Sequence, residues 1–156
     1  MKQYIGTKII EAEKAYRVDG KVVTLAENRT PCGYKIEHGY KVRYADGYES
    51  FSPKEVFEEA YRETSGMNFG LALEAAKKGA RIARAGWNGK GQYVELACCI
   101  SYLTTGGLRV NADHNAIGNK ALAFVGTSGV QLGWLASQAD MLADDWMIVG
   151  ETDEEG

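Results

Sequence analysis

Residues able to do chemistry are concentrated in two stretches of this chain. The first, "GWLASQADMLADDWMIV" from Gly133 to Val149, holds Trp134 and Trp146, a Ser137-Gln138 pair and the carboxylates of Asp140, Asp144 and Asp145. The second, "RAGWNGKG", places Trp87 among glycines, with Arg84 before it and Asn88 and Lys90 after it. Glycines beside tryptophans leave indole faces open to a flat ligand, and an aromatic face with arginine and lysine nearby suits the base and phosphates of a nucleotide. The same residues also have a purely structural reading. Ser137 can be a helix cap, Asp140 a carboxylate favoured by the helix dipole, Asp144 and Asp145 solvated charges, and Trp146 with Leu142 plain core. That account gives Gln138, Trp134 and Trp87 no task.

Catalysis finds little support. Hydrolysis of a nucleotide calls for a metal cage or paired histidines, whereas His38 and His114 lie in different segments and outside any HxT, HxE or HD pattern. "DMLADD" lacks the alternating oxygen ligands and central glycine of a calcium loop. Cys32, Cys98 and Cys99 form no CxxC pair and read as reduced structural thiols. We therefore expect no catalytic residue, no metal and no cofactor. Lys77, Lys78 and Lys90 with Arg81 and Arg84 read first as a solvated face, from which Arg84 is the choice to supply local positive potential to an anionic ligand.

These residues need elements to hold them. Asn68 can cap a helix with a buried stripe of Phe69, Ala72, Leu73 and Ala76, with Lys77 and Lys78 at its C-terminal end and Gly79 as its stop. "ARIARAGW" then reads as a short strand, "NGKG" as a turn, and "YVELACCI" as a central strand. "ALAFV" and "VQLGW" flank "GTSG" as a hairpin. Ser137, with Asp140 three residues on, opens a short helix, and "WMIV" closes as a strand.

Nearer the N-terminus, "YIGTKII" (residues 4–10) reads as a strand. Residues 17–39 read as loop, with one edge strand at Val22 to Leu25. In "KVRYADGYESF", Asp46-Gly47 signals a tight hairpin turn between Lys41 and Phe51. In "SPKEVFEEAYR", Ser52 as N-cap, Pro53 at the first helical position and Glu55 form a capping box, opening a helix whose stripe of Val56, Phe57, Ala60 and Tyr61 needs the preceding hairpin as its partner.

The whole chain has 156 residues, 45% hydrophobic, which is enough for one ordinary domain or two very small ones. With 25% charged residues and a formal net charge of −3 there is no global basic field, which argues against a polynucleotide partner. No apolar leader core and no membrane-length apolar run is found, so a soluble, cytoplasmic protein is expected. The expected fold is α+β, with small antiparallel sheets and short packed helices. It comprises an N-terminal β-hairpin/helix module over residues 1–63, a ligand-binding domain over 67–150 and an acidic tail over 151–156.

"MNFGLALEAAKKGARIARAGWNGKGQYVEL" together with "GWLASQADMLADDW" resembles the phage Thoeris anti-defence two family, earlier a domain of unknown function. Members show a "MNFGEAL"-like helix start, an "ARxGWNGKG"-like turn and a "PWLxSQxDMLAEDW"-like ending. The resemblance spans Met67 to Val149, and residues 1–63 are similar to an N-terminal extension of some phage relatives.

That resemblance implies a sponge. Family members bind, without degrading it, the cyclic ADP-ribose-type signal of a bacterial TIR enzyme, a glycosidically cyclised isomer of ADP-ribose. Some also hold cyclic oligonucleotides of cGAS-like systems at separate sites. The family is described as homotetrameric, with pockets at subunit contacts. Carried onto this chain, Trp87 and Trp134 would stack on bases or wall the pocket. Ser137, Gln138 and Asp140 would fix ribose hydroxyls and base edges, and Arg84, Asn88 and Lys90 would meet phosphates. The setting would be the host cytoplasm during infection. Two departures stand out: Gly133 replaces the family's proline, and Asn68 with Leu71 replaces a Thr and Glu capping box. The unfamiliar stretch 101–131 is where specificity would change. The rival readings are a phage protein-docking or assembly protein and, behind it, a nucleotide-degrading enzyme.

Overall fold

The structure, a computed structural model, describes residues 1–3, 5–25, 35–87, 91–98, 100–111 and 120–150. The chain forms two compact units, Met1–Arg62 and Glu63–Gly156.

The first unit is a four-stranded antiparallel sheet followed by a short α-helix. Its strands are β1 (Glu11–Val18), β2 (Lys21–Thr24), β3 (Ile36–Arg43) and β4 (Glu49–Pro53), in the order β2-β1-β3-β4, followed by α1 (Lys54–Ala60). The expected hairpin at Asp46-Gly47 is present: Gly47 takes a positive φ and the Asp46 carboxylate accepts the Tyr48 N–H at 3.0 Å.

Three expectations for this unit are corrected. Residues 5–10 are not a strand. The residues that pair begin at Glu11, because β1 has partners on both sides, whereas Ile5 and Ile9 are exposed. The described part of 17–39 is mostly strand: Asp19-Gly20, both at positive φ, turn β1 into β2 in two residues, and Ile36 to Gly39 pair back onto β1. Ser52 caps nothing. The pairing of β4 runs through Ser52 and Pro53, so Pro53 becomes the cap position, with no side-chain bond, and no residue of α1 is buried. The helix does rest on the hairpin, through Phe57 stacked on Tyr40 at 4.1 Å; Phe57 also stacks on Tyr61, just past the helix end, at 4.9 Å, while Val56 faces solvent.

The second unit carries the candidate site. It contains α2 (Phe69–Lys77), β5 (Arg81–Arg84), β6 (Tyr93–Cys98), β7 (Ser101–Leu103), β8 (Arg109–Asn111), β9 (Lys120–Gly126), β10 (Gly129–Leu132), α3 (Gln138–Met141) and β11 (Trp146–Val149). Five strands form an antiparallel sheet in the order β10-β9-β6-β5-β11, with β6 central as expected. Asn68 caps α2 by accepting the Leu71 N–H at 2.9 Å. Gly79, at φ +97°, follows the helix end, where its missing Cβ permits the left-handed turn.

Packing joins one face of that sheet to α2. Met67, Ala72, Ala75 and Ala76 meet Ile82, Val94 and Trp146, and Ala75 takes the place expected of Leu73, which is only half-buried. Cross-strand partners share a face, so Ile82, its partners Val94 and Ile148, and Phe124 opposite Val94 make one continuous apolar layer. The β9–β10 hairpin lies where expected. The β7–β8 hairpin, closed at Thr104 to Gly107, falls in the stretch for which no element was expected. The α+β class with small antiparallel sheets and short helices holds for both units.

Candidate functional site

Five aromatic rings gather against the core of this unit, contributed by the start of α2, by β9 and β11, and by the segments that follow β5 and β10. Trp146 is fully buried, and Trp87 and Trp134 pack edge-on against it at 5.5 and 6.3 Å between ring centres. Trp87 also meets Trp134 at 6.0 Å and Phe124 at 5.4 Å, both edge-to-face, and Phe69 lies 5.3 Å from Trp146. Edge-to-face rings at these separations attract through their quadrupoles beyond plain burial. Trp87 and Trp134 are half-buried, so each indole is partly core and partly surface. The structure brings them together, in contact with one another.

The backbone holds Trp134 by its N–H and that of Gly133, which donate to the Leu122 carbonyl at 2.9 and 3.0 Å. Gly133 sits at φ +80°. A proline can adopt neither that angle nor that bond, so the glycine takes the chain into the motif by a route closed to the residue it replaces.

Beside the rings lies an ionic clamp. The Arg84 Nε donates to Asp145 Oδ1 at 2.8 Å and Nη2 to Asp145 Oδ2 at 3.4 Å, while Nη1 donates to Asp140 Oδ1 at 3.0 Å. Asp140 is simultaneously the third helical residue of α3. Its N–H donates to Ser137 Oγ at 3.1 Å, and its Oδ2 accepts the Ser137 N–H at 3.1 Å and hydroxyl at 2.6 Å, the reciprocal capping box the spacing predicted. The Trp146 indole N–H donates to the Asp140 carbonyl at 2.8 Å. Burial would push the Asp140 carboxyl up, but hydrogen bonds from Ser137, Arg84 and Trp87 outweigh it and hold the group below its ordinary range. Asp145 is held low chiefly by Arg84, with help from the Gly86 N–H, and Arg84 is raised chiefly by Asp145 and then Asp140.

Charge bookkeeping changes the role of Arg84. One guanidinium faces two carboxylates, so the clamp carries a formal net charge of −1 and offers no positive potential of its own. The other basic residues expected here are also engaged: Lys77 pairs with Glu74 at 2.7 Å, and Arg81 pairs with Glu95 at 3.5 Å and lies over the Tyr93 ring. Asn88 and Lys90 lie outside the described residues.

Ser137, Asp140, Arg84, Trp87 and Trp134 thus form one cluster. Gln138 opens α3 with its residue exposed, and its carbonyl accepts the Leu142 N–H at 3.0 Å. Two expectations of the structural reading are corrected. Asp145 is a clamp member rather than a merely solvated charge, because the arginine three residues before Trp87 folds onto it, and Leu142 is exposed rather than core, because α3 is a single turn. Sequence reasoning passed over Asp145 because "ADDW" gives two adjacent carboxylates and no spacing signal to tell them apart. Among the described residues no group of His, Cys, Asp or Glu is arranged to hold a metal, and no helix is long and apolar enough to cross a membrane.

Comparison with known proteins adds two findings. A family model described as Tad2-like, the Thoeris anti-defense 2-like domain, matches residues 67–149. The chain is also 36% identical over 86 residues to Thoeris anti-defense 2 of Bacillus phage SP01, covering 53% of this chain and 94% of the relative. Every residue of the aromatic cluster and the clamp lies within the matched segment.

Proposed function

From the premise that the chain belongs to the Thoeris anti-defense 2-like family, we propose that it is a phage protein acting against Thoeris defence by sequestering a cyclic ADP-ribose-type signal, the glycocyclic isomer made by a TIR enzyme, without degrading it. One observation carries this reading. Trp87 and Trp134 are half-buried indoles in mutual contact, held by a rigid polar clamp at their rim. Such preorganised aromatic walls suit a flat base, and stacking contributes about 1–3 kcal/mol per base.

Role assignments follow the geometry. Trp87 and Trp134 wall the pocket, and the exposed Gln138 meets base edges or ribose hydroxyls. Arg84, Asp140 and Ser137 act mainly by holding those walls, since their polar atoms satisfy one another. Positive charge for the phosphates then comes from Lys90, with Asn88 assigned to the same groups, rather than from Arg84. Cyclic oligonucleotides of cGAS-like systems would occupy separate sites.

Val130, Leu132, Leu135, Met141 and Leu142 are exposed around β10 and α3, with Leu135 at 89%. An apolar surface of this kind beside Trp134 supports a homo-oligomer, in line with the tetramer the family implies. Light scattering at micromolar concentration is expected to give a species several times the 17.0 kDa chain mass. A monomer would remove the oligomer from this reading. Action in the host cytoplasm, with no catalytic step, completes the proposal.

The test is recovery of the ligand. Purified protein is incubated with the cyclic ADP-ribose isomer, depletion of free ligand is measured, the complex is heat-denatured, and the supernatant is analysed by chromatography and mass spectrometry. Intact ligand able to activate the effector again is the expected result. A linear or hydrolysed product would make the protein an enzyme, and absence of depletion would redirect the reading to another cyclic nucleotide or to protein docking.

A further inference from the structure

The carboxylate of Asp145, just before β11, reaches across to the turn that follows β5. Its Oδ1 accepts Arg84 Nε at 2.8 Å, its Oδ2 accepts the Gly86 N–H at 3.1 Å, and its own carbonyl accepts the Ala85 N–H at 3.0 Å. Three consecutive residues, Arg84, Ala85 and Gly86, are therefore tied to one aspartate. The turn closes with the Trp87 N–H donating to the Arg84 carbonyl at 3.2 Å. Fit at the middle is tight, since a Cβ on Gly86 would stand 3.2 Å from Asp145 Oδ2.

A second path runs through the side chains. Arg84, oriented by Asp145, donates to Asp140 at 3.0 Å. The Trp87 side chain in turn helps to hold that Asp140 carboxyl below its ordinary range. The backbone of Trp87 is thus fixed through the turn that Asp145 ties, and its ring lies by the Asp140 carboxylate that Arg84 joins to Asp145.

From this geometry we infer that Asp145 is a positioning residue for the ligand site, setting the pose of the Trp87 indole through the Arg84–Gly86 turn and through Arg84 and Asp140. It acts through Trp87 and not by touching the ligand. The inference rests on the reading of Trp87 as a pocket wall, and its test separates the two.

Asp145→Asn is the informative change. It keeps the shape, but the amide can place its one oxygen at only one of the two carboxylate positions, so either the Arg84 Nε or the Gly86 N–H is left facing an amide nitrogen. In the full-length protein, the three tryptophan indole N–H signals are assigned by nitrogen-15 NMR with Trp87→Phe, Trp134→Phe and Trp146→Phe. Asp145→Asn is expected to raise solvent exchange of the Trp87 indole N–H about 10-fold and to weaken binding of the cyclic ADP-ribose isomer by a similar factor. In a Trp87→Phe background the same substitution is expected to add little, because the two residues act on one wall. Trp87 exchange that does not change, or an equal loss of affinity with Trp87 absent, would overturn the inference. If wild-type protein binds no cyclic ADP-ribose isomer, the ligand assignment fails, while the exchange measurement still decides the role of Asp145. Should Asp145→Asn not fold, Gly86→Ala, whose Cβ presses on the Asp145 carboxylate with every charge retained, is measured in its place under the same criteria.

Discussion

Removing Asp140 tests whether the clamp or the helix cap matters more, and the structure separates the two. Ser137→Ala deletes the hydroxyl cap of α3 and its bond to Asp140 Oδ2 but leaves the Arg84 contact in place, at a cost of about 1 kcal/mol. Asp140→Ala deletes the returning half of the capping box and also the bond from Arg84, in a place where the two side chains are 21% and 14% exposed. A hydrogen bond to a charged partner contributes about 1.5–3 kcal/mol. Because Asp145 still holds Arg84, the guanidinium is not stranded, which favours the lower half of that range. Adding about 1 kcal/mol for the cap gives a loss of about 2.5–3 kcal/mol. For a unit of this size that is a fall in Tm of about 10–24 °C, against about 4–8 °C for Ser137→Ala. All three tryptophans, Trp87, Trp134 and Trp146, lie in the second unit, so fluorescence-detected urea unfolding of the full chain reports on that unit alone. If Asp140→Ala costs no more than Ser137→Ala, Arg84 gains nothing from Asp140, and the clamp is an exposed ion pair of negligible effect.

Other expectations follow from the same geometry. Asp140 and Asp145 are both held below the ordinary aspartate value of about 3.9, so the folded unit binds fewer protons than the unfolded chain; their contribution to stability is complete above about pH 5 and is lost as acid approaches the lowered folded values. Urea midpoints that stay flat from pH 6 to pH 3 would contradict this. Trp87→Ala and Trp134→Ala should each weaken ligand binding about 5- to 150-fold by calorimetry. Trp146→Ala should instead cost about 3–5 kcal/mol of stability, since that ring is fully buried, and equal stability losses at all three positions would remove the distinction. Arg84→Ala should destabilise the unit yet leave the salt dependence of ligand affinity unchanged, because its charge is already compensated; a reduced salt slope would return Arg84 to the phosphates.

Much of the site's framework was legible in the sequence because it is local. The Ser137 and Asp140 capping box, the Asn68 cap and the Asp46-Gly47 turn are fixed by residues three or fewer apart, and each stands where its spacing put it. What could not be read depends on distant partners. The β-branched run at residues 5–10 has good strand composition and no neighbour to pair with, whereas the charged Glu11 to Val18 has two. Ser52 has the right spacing for a cap, but the ladder to β3 holds its backbone in the strand. Asp19-Gly20 was a readable turn signal, obscured by the weak periodicity on either side. The Arg84 and Asp145 pair spans 61 positions, and no local pattern announces it.

The pairing of Met67 with Trp146 has a consequence for how such a chain can be rearranged. The two residues exchange backbone bonds at 2.7 and 3.0 Å, and just outside them the Ile148 N–H donates to the Thr64 carbonyl at 2.8 Å. The entry and exit of the family-matching segment are therefore stitched side by side at one edge of its sheet. A module whose two ends meet can be spliced behind another sequence, as it follows residues 1–62 here, without prising any strand from the sheet. It can equally be re-cut: new termini opened in the Thr127-Ser128 turn, with the old ends joined by a short linker, should give a permuted unit that keeps its aromatic cluster and its clamp.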